Sequence, residues 1–177
     1  MKTYKLLLVI VILLSMYSCM LRSTVTTFDN FGILFTCPSG WEVTKIDDDE
    51  GLQMVSIEKS GVNSSGLIKI IICSNETLEA EDLMDSYQES LQEMKLFSDM
   101  KMSEVANANY GKYNGLFCSY TAKVMKLPHQ GRVYVFSSGD ILISLVEQEA
   151  VEDNKINHKG FEAIKESFII KKNIATE

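Results

Sequence analysis

NGLFCSYTAKVMKLPHQGRVYVFSSGDILISLV, residues 114–146, is the stretch that decides the fold. Leu116, Cys118, Tyr120, Ala122 and Val124 alternate with Phe117, Ser119, Thr121 and Lys123, the period of a half-buried strand. Asn114-Gly115 stands ahead of them and is a favoured two-residue hairpin turn. Leu127-Pro128-His129-Gln130-Gly131 reads as a turn, and Val133 to Phe136 as the next strand. Ser137-Ser138-Gly139-Asp140 reads as a four-residue hairpin connection into Ile141 to Val146, within the usual loop lengths. Strands joined this closely run antiparallel, because a parallel crossover takes a dozen or more residues.

The flanks extend the pattern. Upstream, Phe31, Ile33 and Phe35 alternate until Pro38-Ser39-Gly40 breaks the run. Trp41 and Val43 then open a second strand against Glu42 and Thr44. Asp47 to Gly51 reads as a turn, Val55 and Ile57 mark a third strand, and Ser60 to Gly66 is a further turn. Leu67 to Cys73 carries Lys69 as its only charge, as in a central strand covered on both faces. After Thr77, a candidate helix cap, come Glu79, Glu81 and Asp82, acids suited to a helix N-terminus. Leu83, Tyr87, Leu91 and Met94 then form one apolar stripe of a helix ending near Lys95, with Asp85, Glu89, Gln92 and Glu93 on its wet face. Met102 to Asn109 is a weak strand, and Phe161, Ile164 and Phe168 mark a closing helix. Four strands, helix, four strands, helix imply an α+β domain, a mostly antiparallel β-sheet flanked by helices.

The first twenty residues follow other rules. Lys2 and Lys5 precede an unbroken apolar run, Leu6 to Leu14, and Ser15 to Ser18 lead to Cys19. A positive flank, an apolar core and a small residue before the cut describe a secretory signal peptide. With a cysteine just after the cut, the segment resembles a bacterial lipoprotein signal, with Met16 and Tyr17 where Leu and a small residue are usual. That resemblance implies lipidation at Cys19; an uncleaved signal anchor and plain secretion are the alternatives. The expected organisation is a signal peptide over 1–18, a lipidated cysteine and polar tether over 19–30, one domain over 31–171 and a tail over 172–177.

The 177 residues carry a net charge of −7. Cleavage before Cys19 loses Lys2 and Lys5 and no acid, leaving 15 bases against 24 acids and a net of −9. A surface that acidic, without a basic patch, repels phosphate and speaks against nucleic acid as a partner.

Two stretches carry a family resemblance. Phe31-x-x-x-Phe35-x-x-Pro38-x-Gly40-Trp41 resembles the opening of PsbP-like domains, and Phe161-x-x-Ile164-x-x-Ser167-Phe168 resembles their final helix. This superfamily includes the extrinsic PsbP subunit of photosystem II, a Ran-binding nuclear import factor and DcrB-type bacterial lipoproteins. The resemblance spans about residues 28 to 170. It implies an antiparallel sheet between helices, an α/β/α sandwich, and a binding or accessory role rather than catalysis. No functional residue of the family carries over, and the apolar residues quoted are core candidates.

Chemistry-bearing residues are few. Cys37, Cys73 and Cys118 lie in apolar stretches and read as buried small hydrophobes, although an exported chain permits one bridge among them. His129 reads as a turn residue and His158 as one preceding the last helix, without a nucleophile or H-E-x-x-H spacing beside them. The run Asp47-Asp48-Asp49-Glu50 invites a calcium reading, and Glu58 falls at position twelve from Asp47. Gly51 sits at position five, however, so the EF-hand register fails and a solvated hairpin tip is expected. Asn63-Ser64-Ser65 and Asn75-Glu76-Thr77 match glycosylation sequons, read as chance matches in a bacterial lipoprotein. No cofactor, metal or catalytic residue is expected. The expected function is a non-enzymatic module of the cell envelope, anchored to the membrane through Cys19 and partnering another envelope protein. The alternatives are a chaperone-like adaptor that shields apolar segments and an envelope hydrolase using acidic residues.

Overall fold

The computed structural model describes residues 24–171 apart from Glu50, 62–63, 75–77 and Asp140. The leader, Cys19, the 172–177 tail, Thr77, Asn63 and Asn75 lie outside the described residues. The described chain runs β1 (Thr26–Asn30), β2 (Ile33–Cys37), β3 (Trp41–Asp49), β4 (Leu52–Lys59), β5 (Leu67–Cys73) and α1 (Ala80–Glu93). It continues with β6 (Phe97–Met102), β7 (Ala106–Tyr110), β8 (Tyr113–Val124), β9 (Leu127–Ser138) and β10 (Ile141–Ala150). A 3-10 turn (Val151–Asp153), α2 (Asn154–Ser167) and β11 (Ile169–Ile170) close it.

The main sheet has the order β3-β4-β5-β10-β9-β8-β6, with β7 also paired to β8, and a small sheet has the order β1-β2-β11. Every pairing is antiparallel. Strand alternation makes the layers. Ile68, Ile70 and Ile72 of β5, Tyr134 and Phe136 of β9, and Ile143 and Leu145 of β10 join one core with Phe161 and Ile164 of α2. Their sequence neighbours Cys73, Val133, Val135, Leu142 and Val146 join a second core with Met84 and Leu91 of α1. The helices therefore cover opposite faces of the sheet, the expected α/β/α sandwich, and the small sheet shares the α2 side through Ile33, Phe35 and Ile170.

β10 is the strand most fully covered: Leu142 through Val146 are buried without interruption. β5 has one sealed face, whereas Leu67, Lys69 and Ile71 on its other face are half-buried. α1 packs over β8, β9 and β10, so it stops short of that end of the sheet.

Several expectations are corrected, nearly all at turns. Part of the expected tether, Thr26–Asn30, is β1, paired along its length with β2. Phe31 is not a strand residue but turns the chain with Gly32, both at positive φ. Asp47–Asp49 extend β3 opposite Met54, Gln53 and Leu52 rather than forming the turn. The weak strand at Met102 to Asn109 resolves into β6 and β7. Asn114 and Gly115 lie inside β8, and the hairpin turns instead at Gly111-Lys112, between paired Tyr110 and Tyr113. Gly115 is required by packing: a Cβ there would stand 2.2 Å from the Val135 carbonyl oxygen. Leu127–Gly131 belong to β9, and the turn falls on Met125 and Lys126, both left-handed. The β9–β10 connection has two residues, since Ser138 already pairs with Ile141. α1 begins at Ala80, after Glu79 and without a side-chain cap. Of the expected stripe, Leu91 is buried, Leu83 and Tyr87 are half-buried and Met94 is exposed, while Met84, outside that stripe, is the second buried residue of the helix. His158 lies within α2.

Trp41 anchors α2 to the sheet. Its indole meets the Phe161 ring edge-on at 5.1 Å. The approach needs glycine in mid-helix, since a Cβ on Gly160 would lie 2.0 Å from the indole nitrogen.

Candidate functional site

Beyond Val146 the α2-facing side of β10 turns from apolar to acidic. Glu147 and Glu149 follow Leu145 on the same face and are each only 2 % exposed. Their cross-strand partners on β9 are Arg132 and Gln130. Phe117 of β8 and Phe161 of α2 flank this polar patch and, with it, line a groove of about 280 Å³. The volume lies at the small end of ligand sites.

Polar groups in the groove are only partly satisfied. Arg132 donates from Nε to Glu147 Oε2 at 2.7 Å, and its guanidinium carbon lies 5.4 Å from the centre of the Phe161 ring. Glu149 Oε1 accepts from Gln130 at 2.9 Å and from Asn154 at 2.7 Å. The second oxygens, Glu147 Oε1 and Glu149 Oε2, are buried without a hydrogen-bond partner among the described residues. Burial pushes the Glu147 carboxyl up to about 7, against the lowering pull of Arg132 and Lys165 and with smaller raising contributions from Glu162 and Glu149. Desolvation thus outweighs the ion pair, the usual balance for buried charges. Glu147 thus sits beside the Arg132 guanidinium with one carboxyl oxygen sealed and unfilled, as Glu149 has.

The residues singled out from sequence do not gather here. His158 is on the exposed surface of α2. His129 lies in β9, its Nδ1 buried without a partner among the described residues, and burial lowers its pKa against an upward pull from Asp153. Asp47 pairs with Lys45 at 2.5 Å on β3. No group of three or more His, Cys, Asp or Glu side chains stands ready for a metal ion among the described residues. Cys37, Cys73 and Cys118 are buried free thiols, and burial raises all three above the ordinary thiol value. Glu147 and Glu149 do not stand out in the sequence, where the apolar run of the strand ends at Val146. The available signal was two acids at alternate positions directly after an apolar run.

Other concavities lie elsewhere on the described residues. One, about 290 Å³, lies between α1 and β5, lined by Ile71, Leu83, Tyr87, Leu91, Met94 and the Lys69 side of the strand. Another, about 500 Å³, opens where the Phe31-Gly32 turn and Ile170 approach Ile72 and Ile141.

No family model and no curated protein sequence matches the chain. Solved structures do. Cyanobacterial PsbP (CyanoP) from Synechocystis sp. PCC 6803 superposes with a TM-score of 0.61 at 12% identity, over 84% of this chain and 93% of its own. LpqN of Mycobacterium tuberculosis, described as involved in cell envelope biogenesis, gives 0.55 at 12% identity over 84% and 91%. A Bacteroides thetaiotaomicron protein also gives 0.55 at 12% identity, over 86% of this chain and 50% of that longer one. No described helix is long and apolar enough to cross a membrane. With an antiparallel sheet held between two helices and these structural neighbours, the chain has the PsbP-like fold.

Proposed function

We propose that this protein is a non-enzymatic, lipid-anchored accessory module of the bacterial cell envelope, which binds a partner rather than transforming a substrate. The observation that carries the reading is the position of Cys19, which follows an apolar leader and precedes β1 by seven residues. Seven extended residues reach at most about 25 Å, so an acylated Cys19 would hold the folded body against the membrane surface. Each buried methylene of an acyl chain contributes about 0.8 kcal/mol, and two chains anchor stably where one does not. The fold shared with LpqN, whose description refers to cell envelope biogenesis, supports an envelope setting. Another envelope protein is the expected partner.

The test is metabolic labelling with a palmitate analogue, followed by membrane fractionation, of the wild-type chain and Cys19→Ala. Label on the wild type alone, with the variant released to the soluble fraction, supports the anchor. Equal labelling of both removes it.

The apolar groove between α1 and β5 favours a second reading, an adaptor that shields apolar segments of a partner. That reading expects Leu83→Glu to abolish suppression of a client's aggregation while leaving membrane attachment intact.

A further inference from the structure

We propose that the groove walled by Arg132, Glu147 and Glu149 is a binding site for a small organic ammonium ion. The inference rests on reading the chain as a binding module and gives that module a ligand class.

The geometry supplies three reasons. First, two glutamates nine-tenths or more buried line one groove, and each keeps one buried carboxyl oxygen without a hydrogen-bond partner among the described residues. Leaving buried acceptors unfilled is costly, and a ligand that donates hydrogen bonds recovers that cost. Second, Glu147 and Glu149 are two residues apart on one strand face, so their backbone positions are about 7 Å apart. A single ammonium group, with three donors and no acceptor, can reach both carboxyls. Third, the acids Glu147, Glu149 and Glu162 outnumber the bases Arg132 and Lys165 there, which disfavours an anion.

A divalent metal fits less well. Calcium takes six to eight oxygens, and no three-ligand group exists among the described residues. A neutral polyol would fill the acceptors but leave the excess negative charge unmatched.

Charged and titratable groups face Glu147 from each neighbouring element: Arg132 from β9, Lys165 and Glu162 from α2, and Glu149 from β10. Tyr110 of β7 and Tyr134 of β9 also feel its charge. Burial sets Glu147 near 7, whereas an alkylamine stays protonated to about pH 10, like lysine. Raising the pH from 5.5 to 8 therefore ionises the site without discharging the ligand, and binding tightens.

Isothermal titration of the full-length chain in mild detergent tests the proposal, with cadaverine as probe and 1,5-pentanediol and glutarate as its neutral and anionic counterparts. Expected is saturable one-to-one binding of cadaverine only, about thirtyfold tighter at pH 8 than at pH 5.5. Glu147→Gln and Glu149→Gln should each weaken it by about tenfold or more, with Tm confirming that both variants fold. Glu104→Gln, on an exposed loop, should leave it unchanged. Nα-acetyl-lysinamide distinguishes the source: tighter binding than cadaverine assigns the ammonium to a partner's lysine, and weaker binding to a free amine. No saturation by cadaverine at 10-millimolar order, equal binding of pentanediol, or indifference to both Gln variants would overturn the site. Such a failure leaves the palmitate-labelling result untouched, so loss of the ligand class is distinguishable from loss of the anchored-module reading.

Discussion

Replacing Glu147 by Gln separates two opposing effects at the buried ion pair. The Arg132 contact at 2.7 Å favours the charged carboxylate, whereas burial favours the neutral acid and wins, moving the group from 4.5 to about 7. One pKa unit corresponds to about 1.4 kcal/mol, so this displacement is worth about 3 kcal/mol. The sign follows from proton binding. Between pH 4.5 and 7 the folded chain keeps a proton that the unfolded chain has released. The stabilising contribution is therefore complete below pH 4.5, declines through that interval, and is absent above about 7. Gln cannot titrate, and Asp99, lowered chiefly by its hydrogen bond to Lys123, behaves alike in both proteins. Urea unfolding from pH 4.5 to 8, followed by fluorescence of the single tryptophan, Trp41, reads the difference. Wild-type stability relative to Glu147→Gln should fall by about 3 kcal/mol across the range. Parallel curves, or a wild type that gains on the variant as pH rises, would show that the ion pair dominates and would refute the reasoning.

Gly160→Ala should destabilise despite its helical site. The propensity gain of about 1 kcal/mol opposes a Cβ placed 2.0 Å from the Trp41 indole nitrogen, and overpacking costs of about 1–3 kcal/mol predict a net loss. Thermal melting with a shifted Trp41 emission would register it; an unchanged Tm and spectrum would contradict the packing account. Tyr110→Phe removes a fully buried hydroxyl that has no partner among the described residues, so stability should hold or rise by about 1 kcal/mol. A loss above about 1 kcal/mol in urea unfolding would mean the hydroxyl is satisfied. Cys37, Cys73 and Cys118 should resist a thiol reagent such as DTNB in the native state and react on unfolding, because burial keeps them protonated. Fast native labelling at any of the three would show local opening.

Most of the fold was legible because alternation is a local property. Val133, Val135, Leu142 and Val146 on one side and Tyr134, Phe136, Ile143 and Leu145 on the other sort correctly from spacing alone. Turn positions were less legible. Asn114-Gly115 has favourable turn chemistry, yet the chain spends Gly115 on close strand approach and turns at Gly111. Met125 and Lys126 turn at positive φ without glycine or asparagine, a choice that β8–β9 pairing imposes and local propensity does not announce. These errors propagate. A four-residue connection at 137–140 would set Arg132 opposite Leu145; the actual two-residue turn sets it opposite Glu147. The candidate groove was hidden by that register.

Local pattern determined the antiparallel α+β class, the two amphipathic helices and the identity of most core residues. Each follows from the chemistry of neighbours along the chain. Tertiary structure alone decided that the helices cover opposite faces, that α1 leaves the β5 end open, and that Arg132, Glu147, Glu149 and Phe161 meet in one groove. Those outcomes depend on strand register and on glycine contacts such as Gly160 against Trp41. They are long-range packing choices, set by which arrangement buries the apolar faces with the fewest clashes.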